Sequence, residues 1–377
     1  MIYLDQAATA PVRPEVLEAM WPYLTGEFGN PSSVHGLGAS ASAALKWARE
    51  TVASVLNARA SDIVFTSGGT ESDNLAVKGI ALGDPRGRHI VTTAVEHEAV
   101  LASDDYLVRH HGFESTVVGV DSFGLVDPAE VAAGIRDNTT LITVMYANNE
   151  VGAIQPIERI AAIAAAHRVP LHVDAVQAAG WLPLDVPALG AGSMALSGHK
   201  IGAPKGTGVL AVRGGIALEP LIHGGGQERG RRSGTENVAG AVGFATALTL
   251  AEDERAETSL RISGVRDRFI DRVLLTIPSA TLTGPREPRL PGSASFTFGN
   301  QSGESLLLEL ERRDILCSSG AACAAGRDEP SHVLLAMGLS ADAALTGLRF
   351  SLTATTTDDE LTRVAEALSE IESTAVA

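Results

Sequence analysis

Short apolar runs rich in β-branched residues alternate along this chain with longer stretches whose apolar positions recur at helical spacing. Ile63-Val64-Phe65-Thr66, His89-Ile90-Val91-Thr92, Thr116-Val117-Val118, Leu141-Ile142-Thr143-Val144 and Leu171-His172-Val173 predict strands, several apolar enough to be buried on both faces. Between them the spacing predicts helices at Glu71 to Ala81, Ala99 to His111, Pro128 to Ile135 and Ile157 to His167. This βαβ rhythm calls for a mostly parallel sheet sandwiched by helices, an α/β class. The rhythm fades after about residue 250. A charged helix from about Glu252 to Val273 then leads into Ser293-Ala294-Ser295-Phe296-Thr297-Phe298, which alternates like a strand with one solvated face. A domain boundary is expected near Glu252, and 377 residues are ample for two domains.

Composition narrows the field. Every hydrophobic stretch is interrupted before the roughly 18 apolar residues that a spanning helix needs, so a membrane is not an expected partner. The formal charge of −16 repels phosphate backbones and anionic lipid, which argues against nucleic acid and favours a small molecule or a basic protein surface. Two cysteines, and no basic and apolar leader at Met1-Ile2-Tyr3-Leu4-Asp5, fit a reducing cytoplasm. Both cysteines fall in Cys317-Ser318-Ser319-Gly320-Ala321-Ala322-Cys323-Ala324-Ala325-Gly326. Small residues flank Cys323 on both sides, which suggests a reactive thiol on a mobile loop, whereas Cys317 follows an apolar run and reads as a small buried hydrophobe.

In open α/β sheets ligands gather at the carboxyl ends of the strands. Four such ends carry chemistry. Thr66-Ser67-Gly68-Gly69-Thr70-Glu71 joins a strand to a helix start, whose free amides and dipole suit an anion such as phosphate; the plainer reading is a helix cap, with Thr70 and Asp73 at capping-box spacing. His172-Val173-Asp174 puts a carboxylate at the end of an apolar strand, where it needs a cation, unless it merely caps a loop. Ser197-Gly198-His199-Lys200 precedes glycines at 202, 206 and 208; a glycine-rich hairpin accounts for these, but a lysine of depressed pKa there is an amine able to form a Schiff base. With an acid 26 residues upstream to hold a pyridinium nitrogen, the pair suggests pyridoxal phosphate. His97, in Val95-Glu96-His97, is either a satisfied interior histidine or a ring-stacking and proton-transfer group.

Taken together, Tyr3-Leu4-Asp5-Gln6-Ala7-Ala8-Thr9, Phe28-Gly29-Asn30-Pro31-Ser32-Ser33, Ser67-Gly68-Gly69-Thr70-Glu71-Ser72-Asp73-Asn74, Asn148-Asn149-Glu150-Val151-Gly152, His172-Val173-Asp174-Ala175, Ser197-Gly198-His199-Lys200, His223-Gly224-Gly225-Gly226-Gln227-Glu228-Arg229-Gly230, Arg232-Ser233-Gly234-Thr235 and Arg349-Phe350-Ser351 resemble the cysteine desulfurases, in matching order and spacing from residue 2 to about 370. These are class V aminotransferase relatives of the fold-type-I pyridoxal-phosphate enzymes. The resemblance implies a large cofactor-binding domain over 15–252 and a smaller α+β domain made of 1–14 and 253–377.

It also implies roles. Lys200 would bond the cofactor, Asp174 would pair with the ring nitrogen, Gln177 with the phenolic oxygen, and His97 would stack on the ring and move protons. Gly69, Thr70, Ser197 and His199 would hold the phosphate, with Thr235 reaching in from the second subunit of a homodimer. Asn149 and Arg349 would position the substrate, L-cysteine, and Cys323 would attack its sulfur, leaving alanine and a persulfide. The spacing from Cys323 to Pro330-Ser331-His332 resembles the branch with a long catalytic loop, which passes the persulfide to an acceptor such as an iron–sulfur scaffold protein; through that persulfide Cys323 could contact the cluster, and no other metal site is expected. The sequence stops at Ala377, without the extension some relatives use to dock a scaffold, so persulfide formation is implied more directly than delivery. Competing readings are an aminotransferase, a selenocysteine lyase or a kynureninase-like lyase on the same cofactor site, a metal module built on Cys317, Cys323 and His332, and a dithiol redox protein. The last two lack the usual zinc and C-x-x-C spacings.

Overall fold

A computed structural model describes residues 1–299, 301–319 and 329–376, with side chains to residue 373. The chain opens with β1 (Ile2–Tyr3), α1 (Pro14–Leu24) and α2 (Gly36–Val55). An alternating region follows: β2 (Ile63–Thr66), α3 (Gly69–Gly83), β3 (His89–Thr93), α4 (Glu98–His111), β4 (Glu114–Val118), α5 (Pro128–Gly134) and β5 (Thr139–Thr143). It continues through α6 (Ile157–His167), β6 (Leu171–Asp174), α7 (Val186–Leu189), β7 (Ser193–Ser197) and β8 (Gly208–Val212). Helix α8 (Val238–Thr276) leads to β9 (Ala280–Leu282), β10 (Ser293–Phe298), α9 (Gly303–Glu311) and β11 (Ile315–Leu316). The last elements are α10 (His332–Ala336), α11 (Ala341–Ala344), β12 (Gly347–Ser351) and α12 (Asp358–Val376).

Seven strands form one sheet in the order β2-β8-β7-β6-β5-β3-β4, in which only β8 runs against its neighbours. Every residue of β3, β5, β6, β7 and β8 is buried, which is why these strands read as continuous apolar or small runs rather than alternating ones. One face packs Val52, Leu56, Ile63, Val173 and Leu196 with the start of α8; the other packs Leu75, Ile80, Ile90, Leu107 and Leu210. The expected α/β sandwich is what the chain forms.

Beyond the sheet, α8 is longer than its charged portion suggested. Its 39 residues run roughly 58 Å. The first turns, from Val238 to Leu248 apart from Thr246, are buried, and Ile262, Val265, Phe269, Ile270 and Val273 are buried in a second core. That second core gathers Leu4, Phe296, Phe298, Phe350, Leu361 and Leu368 around Phe269, whose ring meets Phe350 edge-on at 5.4 Å. It lies on the antiparallel sheet β12-β10-β9. The expectation of a solvated face on 293–298 is corrected here: all six residues are buried, because β10 is the central strand. One of its polar side chains meets another hydroxyl instead of water: Thr283 Oγ1 donates to Ser295 Oγ at 2.8 Å.

The amino-terminal segment joins the two cores. β1 pairs in parallel with β11, Leu4 enters the second core, and Asp5 bridges to Ser351 of β12. Among the described residues no helix is long and apolar enough to cross a membrane.

Candidate active site

At the carboxyl ends of the sheet strands lies a cavity of about 610 Å³, and the structure brings most of the sequence-predicted residues to it. Gly69, Thr70, His97, Asn149, Asp174, Gln177, Ser197, His199, Lys200 and Arg349 all line it. Most arrive at the end of a strand or the start of a helix, whereas Asn149 comes from the loop after β5 and Arg349 from the middle of β12. Gly69 opens α3, His97 is the N-cap of α4 and its Nδ1 accepts from Ala99 N, Asp174 ends β6, and Ser197 ends β7 just before the 3₁₀ turn that carries Lys200.

Buried acids form the floor. Asp174 accepts a 2.9 Å bond from Val176 N, and burial raises its pKa, an effect only partly offset by His97 and Lys200. Burial also pushes Asp73 well above the usual carboxylate range and Glu96 up to about 8. His172, buried between Ser193 Oγ at 2.9 Å and Asp73 Oδ1 at 3.2 Å, is pushed down to about 3, so we read the Asp73–His172 contact as a hydrogen bond of a neutral imidazole rather than an ion pair. Three carboxyls so placed cannot all ionise cheaply, and a positive charge arriving beside Asp174 would draw it down. Asp73, Glu96 and His172 were not singled out in the sequence as a group; their signal is a polar residue interrupting an otherwise apolar pattern.

The lysine is held from an unexpected direction. Lys200 Nζ donates to the carbonyl oxygens of Ala7 and, at 2.8 Å, Ala8. Gln6 Nε2 reaches the Lys200 carbonyl at 3.2 Å, and Gln177 Nε2 donates to the Ala7 carbonyl at 3.0 Å. The turn that presents these carbonyls is fastened by Tyr3 Oη, which bonds the carbonyls of Asp5 at 3.0 Å and Thr9 at 2.7 Å. His199 contacts Thr9 Oγ1 at 3.3 Å; burial, helped by Lys200 and Lys205, lowers its pKa to about 4, so its ring is neutral near pH 7. Sequence reasoning assigned no role to 5–9, since carbonyl groups leave no side-chain signature.

The part of the lining at the start of α3 suits an anion. Gly68 sits at φ +153°, and a Cβ on Gly208 would lie 2.6 Å from the Gly68 Cα, so backbone approaches backbone as no side chain would permit. Ser197 Oγ is buried with no partner among the described residues. The expected capping box is not formed: α3 starts at Gly69, its cap makes no side-chain bond, and Asp73 turns inward to His172. The start of α3 is thus open to a ligand. Thr235 does not line this cavity; it lines an adjoining one of about 230 Å³ that shares Ser67 and Gly206 with it. The loop carrying Thr235 is fixed by two ion pairs, Arg49–Glu228 at 2.6 Å and Arg232–Glu71 at 2.9 Å.

A cationic group closes the third side. Arg349 is 2% exposed, donates through Nη1 to the Asn149 carbonyl at 2.9 Å, and pairs through Nη2 with Asp5 Oδ1 at 2.8 Å. Cys317 packs against the second core, and burial, reinforced by Asp5, pushes its thiol up to about 12, which leaves it un-ionised and unreactive. His332 Nε2 donates to the Glu96 carbonyl at 3.0 Å. Cys323 lies outside the described residues.

An orphaned buried hydroxyl and glycine-floored helix start for a phosphate, a buried acid for a ring nitrogen, and an amine between them fit pyridoxal phosphate. Comparison with known proteins agrees. The family model for aminotransferase class-V matches residues 2–364. Cysteine desulfurase IscS of Methanosarcina thermophila is 46% identical over 371 residues, 98% of this chain and 91% of that one. A solved structure of a NifS-like protein superposes with a TM-score of 0.92 at 38% identity, covering 99% of both chains. Another, described as SspA in complex with cysteine, gives 0.82 at 36% identity, covering 95% of this chain and all of the other. The chain accordingly belongs to the aminotransferase class-V family and, within it, to the cysteine desulfurases, which depend on pyridoxal phosphate.

Proposed function

We propose that this protein takes sulfur from L-cysteine in the cavity over Lys200, releases L-alanine, and holds the sulfur as a persulfide on Cys323. The observation that carries this reading is the convergence of an amine, a buried acid and a buried guanidinium on one cavity at the strand ends. Bound pyridoxal phosphate supplies an electron-withdrawing ring that accepts the charge left when the substrate loses its Cα proton. Ser197, Gly69, Thr70 and His199 would hold the phosphate, Asp174 would keep positive charge on the ring nitrogen, and Gln177 would hydrogen-bond the phenolic oxygen. Arg349 and Asn149 bind the α-carboxylate, in the forked geometry a guanidinium favours. Lys200 Nζ moves the Cα proton, and His97 carries the proton between the thiols and solvent. The Cys323 thiolate attacks the substrate sulfur; the S–S bond forms as the carbon–sulfur bond breaks, and the carbon fragment, once reprotonated, is alanine.

Thr235 does not line the cavity of its own chain, which leaves room for a homodimer in which Thr235 of one subunit would reach the phosphate of the other. In this reading residues 15–252 bind the cofactor, 1–14 and 253–377 form the smaller domain, the two-thiol chain works in a reducing cytoplasm, and the persulfide passes to an acceptor or iron–sulfur scaffold protein. The test is to supply L-cysteine with a dithiol reductant, which releases the persulfide sulfur as sulfide while being oxidised to its disulfide, and to measure sulfide and alanine for the wild type and Cys323→Ala, with Cys317→Ser as control. Wild type and the control should turn over and the Ala variant should not; full turnover by a Cys323→Ala enzyme that retains its cofactor refutes the reading.

A further inference from the structure

Arg349 already has a carboxylate. Its Nη2 meets Asp5 Oδ1 at 2.8 Å and its Nη1 the Asn149 carbonyl at 2.9 Å, while its Nε finds no acceptor among the described residues although the side chain is 3% exposed. A guanidinium carries five N–H donors, so this one still has capacity for a carboxylate on the cavity side. Asp5 is itself immobilised. Its carbonyl accepts from Tyr3 Oη, Ala8 N and Thr9 N, and it bridges to Ser351, two residues along β12 from the arginine. The acid therefore sits at a fixed place beside the cation, with 23% of its side chain exposed.

We propose that Asp5 is a positioning residue for the amino-acid carboxylate, with two separable effects. By accepting from Nη2 it aims Arg349, leaving Nε and the remaining hydrogens for the ligand. By its charge it offsets part of the attraction that a buried guanidinium exerts on an anion, so that the amino acid is held weakly enough to leave. Without Asp5 a buried, uncompensated cation would grip any carboxylate, product as well as substrate. This proposal rests on the desulfurase reading, in which Arg349 receives the α-carboxylate.

The effects separate because Asn and Ala at position 5 remove the same charge, but only Asn keeps an acceptor of the same reach. The holoenzyme is titrated with L-alanine, an unreactive amino acid, and with L-alanine methyl ester, which has no carboxylate charge, following the visible absorbance of the cofactor; KM and kcat for L-cysteine are measured alongside. Relief of one like charge at this range strengthens binding about tenfold. Asp5→Asn should therefore bind L-alanine about tenfold more tightly and lower KM to a similar degree without raising kcat, while its affinity for the ester stays put. Asp5→Ala should bind L-alanine several-fold more weakly than Asp5→Asn, and Asp5→Glu, which keeps the charge, should retain the wild-type ratio of alanine to ester affinity within about twofold. If Asp5→Asn weakens alanine binding or leaves it unchanged, or if alanine and ester shift together, the proposal is overturned. Equal affinities for the Asn and Ala variants overturn the aiming role. A wild type that responds to neither probe and makes no sulfide from L-cysteine signals failure of the desulfurase reading, and the proposal falls with it.

Discussion

Replacing Glu228 by Ala should destabilise the protein by about 3–5 kcal/mol, the cost of breaking a buried ion pair from one side. Arg49 reaches the two oxygens of Glu228 through separate nitrogens at 2.6 and 2.7 Å, with side-chain exposures of 10% and 3%. Glu228 Oε2 also accepts from Phe65 N at 3.2 Å, and Arg49 bonds the Ile63 carbonyl at 2.8 Å and lies 5.0 Å over the Phe65 ring. Removing the carboxylate leaves a buried guanidinium uncompensated and an edge-strand amide without its acceptor. The pair also holds the backbone of Glu228 and Arg229 at φ +49° and +59°, so the loop that carries Thr235 loses its anchor on β2. Two measurements follow: denaturant unfolding of the variant, and trypsin cleavage of the folded protein at Arg229, Arg231 and Arg232, which should accelerate. Pairing the change with Arg49→Met should recover much of the loss, because the stranded charge disappears. A loss below about 1 kcal/mol, the scale of an exposed surface pair, would refute the reasoning.

Three further outcomes are expected. Glu96 is pushed up to about 8 by burial from an ordinary value of 4.5, so its contribution to stability is complete below pH 4.5 and is lost as pH rises through about 8; Glu96→Gln should match the wild type near pH 5 and be more stable at pH 8.5, and parallel unfolding profiles across that range would contradict the assignment. Lys200→Ala should lose the visible absorbance of the bound cofactor and all sulfide production, which spectra and a sulfide assay will show. Gly208→Ala should fold poorly or bind cofactor weakly, because its Cβ would fall 2.6 Å from the Gly68 Cα with no side chain able to yield; cofactor content and thermal unfolding check this.

Strands β2 to β6 were legible as short β-branched runs and the helices between them from the spacing of apolar positions, whereas β7 and β8, rich in small residues and beside the glycines at 198, 202 and 206, were not read as strands. Ser293–Phe298 was misread for a definite reason: alternation reports chemistry, not solvent, and its serines and threonine are buried, Ser295 against the hydroxyl of Thr283. The longer reach of α8 escaped because its first eleven residues, small and apolar on all sides, carry no amphipathic stripe. At the site, most of the side chains that line the cavity could be read from strand ends and from the family resemblance. Those acting through the backbone, such as Ala7 and Ala8, could not, nor could pairs such as Arg49 and Glu228, separated by 179 positions. The Thr70–Asp73 spacing illustrates the limit of local pattern: burial near His172 overrode a favourable cap.

The threading of residues 2–9 between the two cores sets an order of assembly. The whole seven-stranded sheet is encoded by residue 212, and Lys200 with it, so this sheet can form while the chain is still being made. The carbonyls that receive the lysine cannot be fixed then, since β1 finds its partner only at residues 315–316 and the Asp5 turn is clamped by Ser351. Residues 2–9, made before the sheet, are thus placed only after it, and such long-range closure is slow. A nascent chain has the sheet and its strand ends well before the carbonyls that meet Lys200 are fixed, since those wait until residues 2–9 have met 315–351.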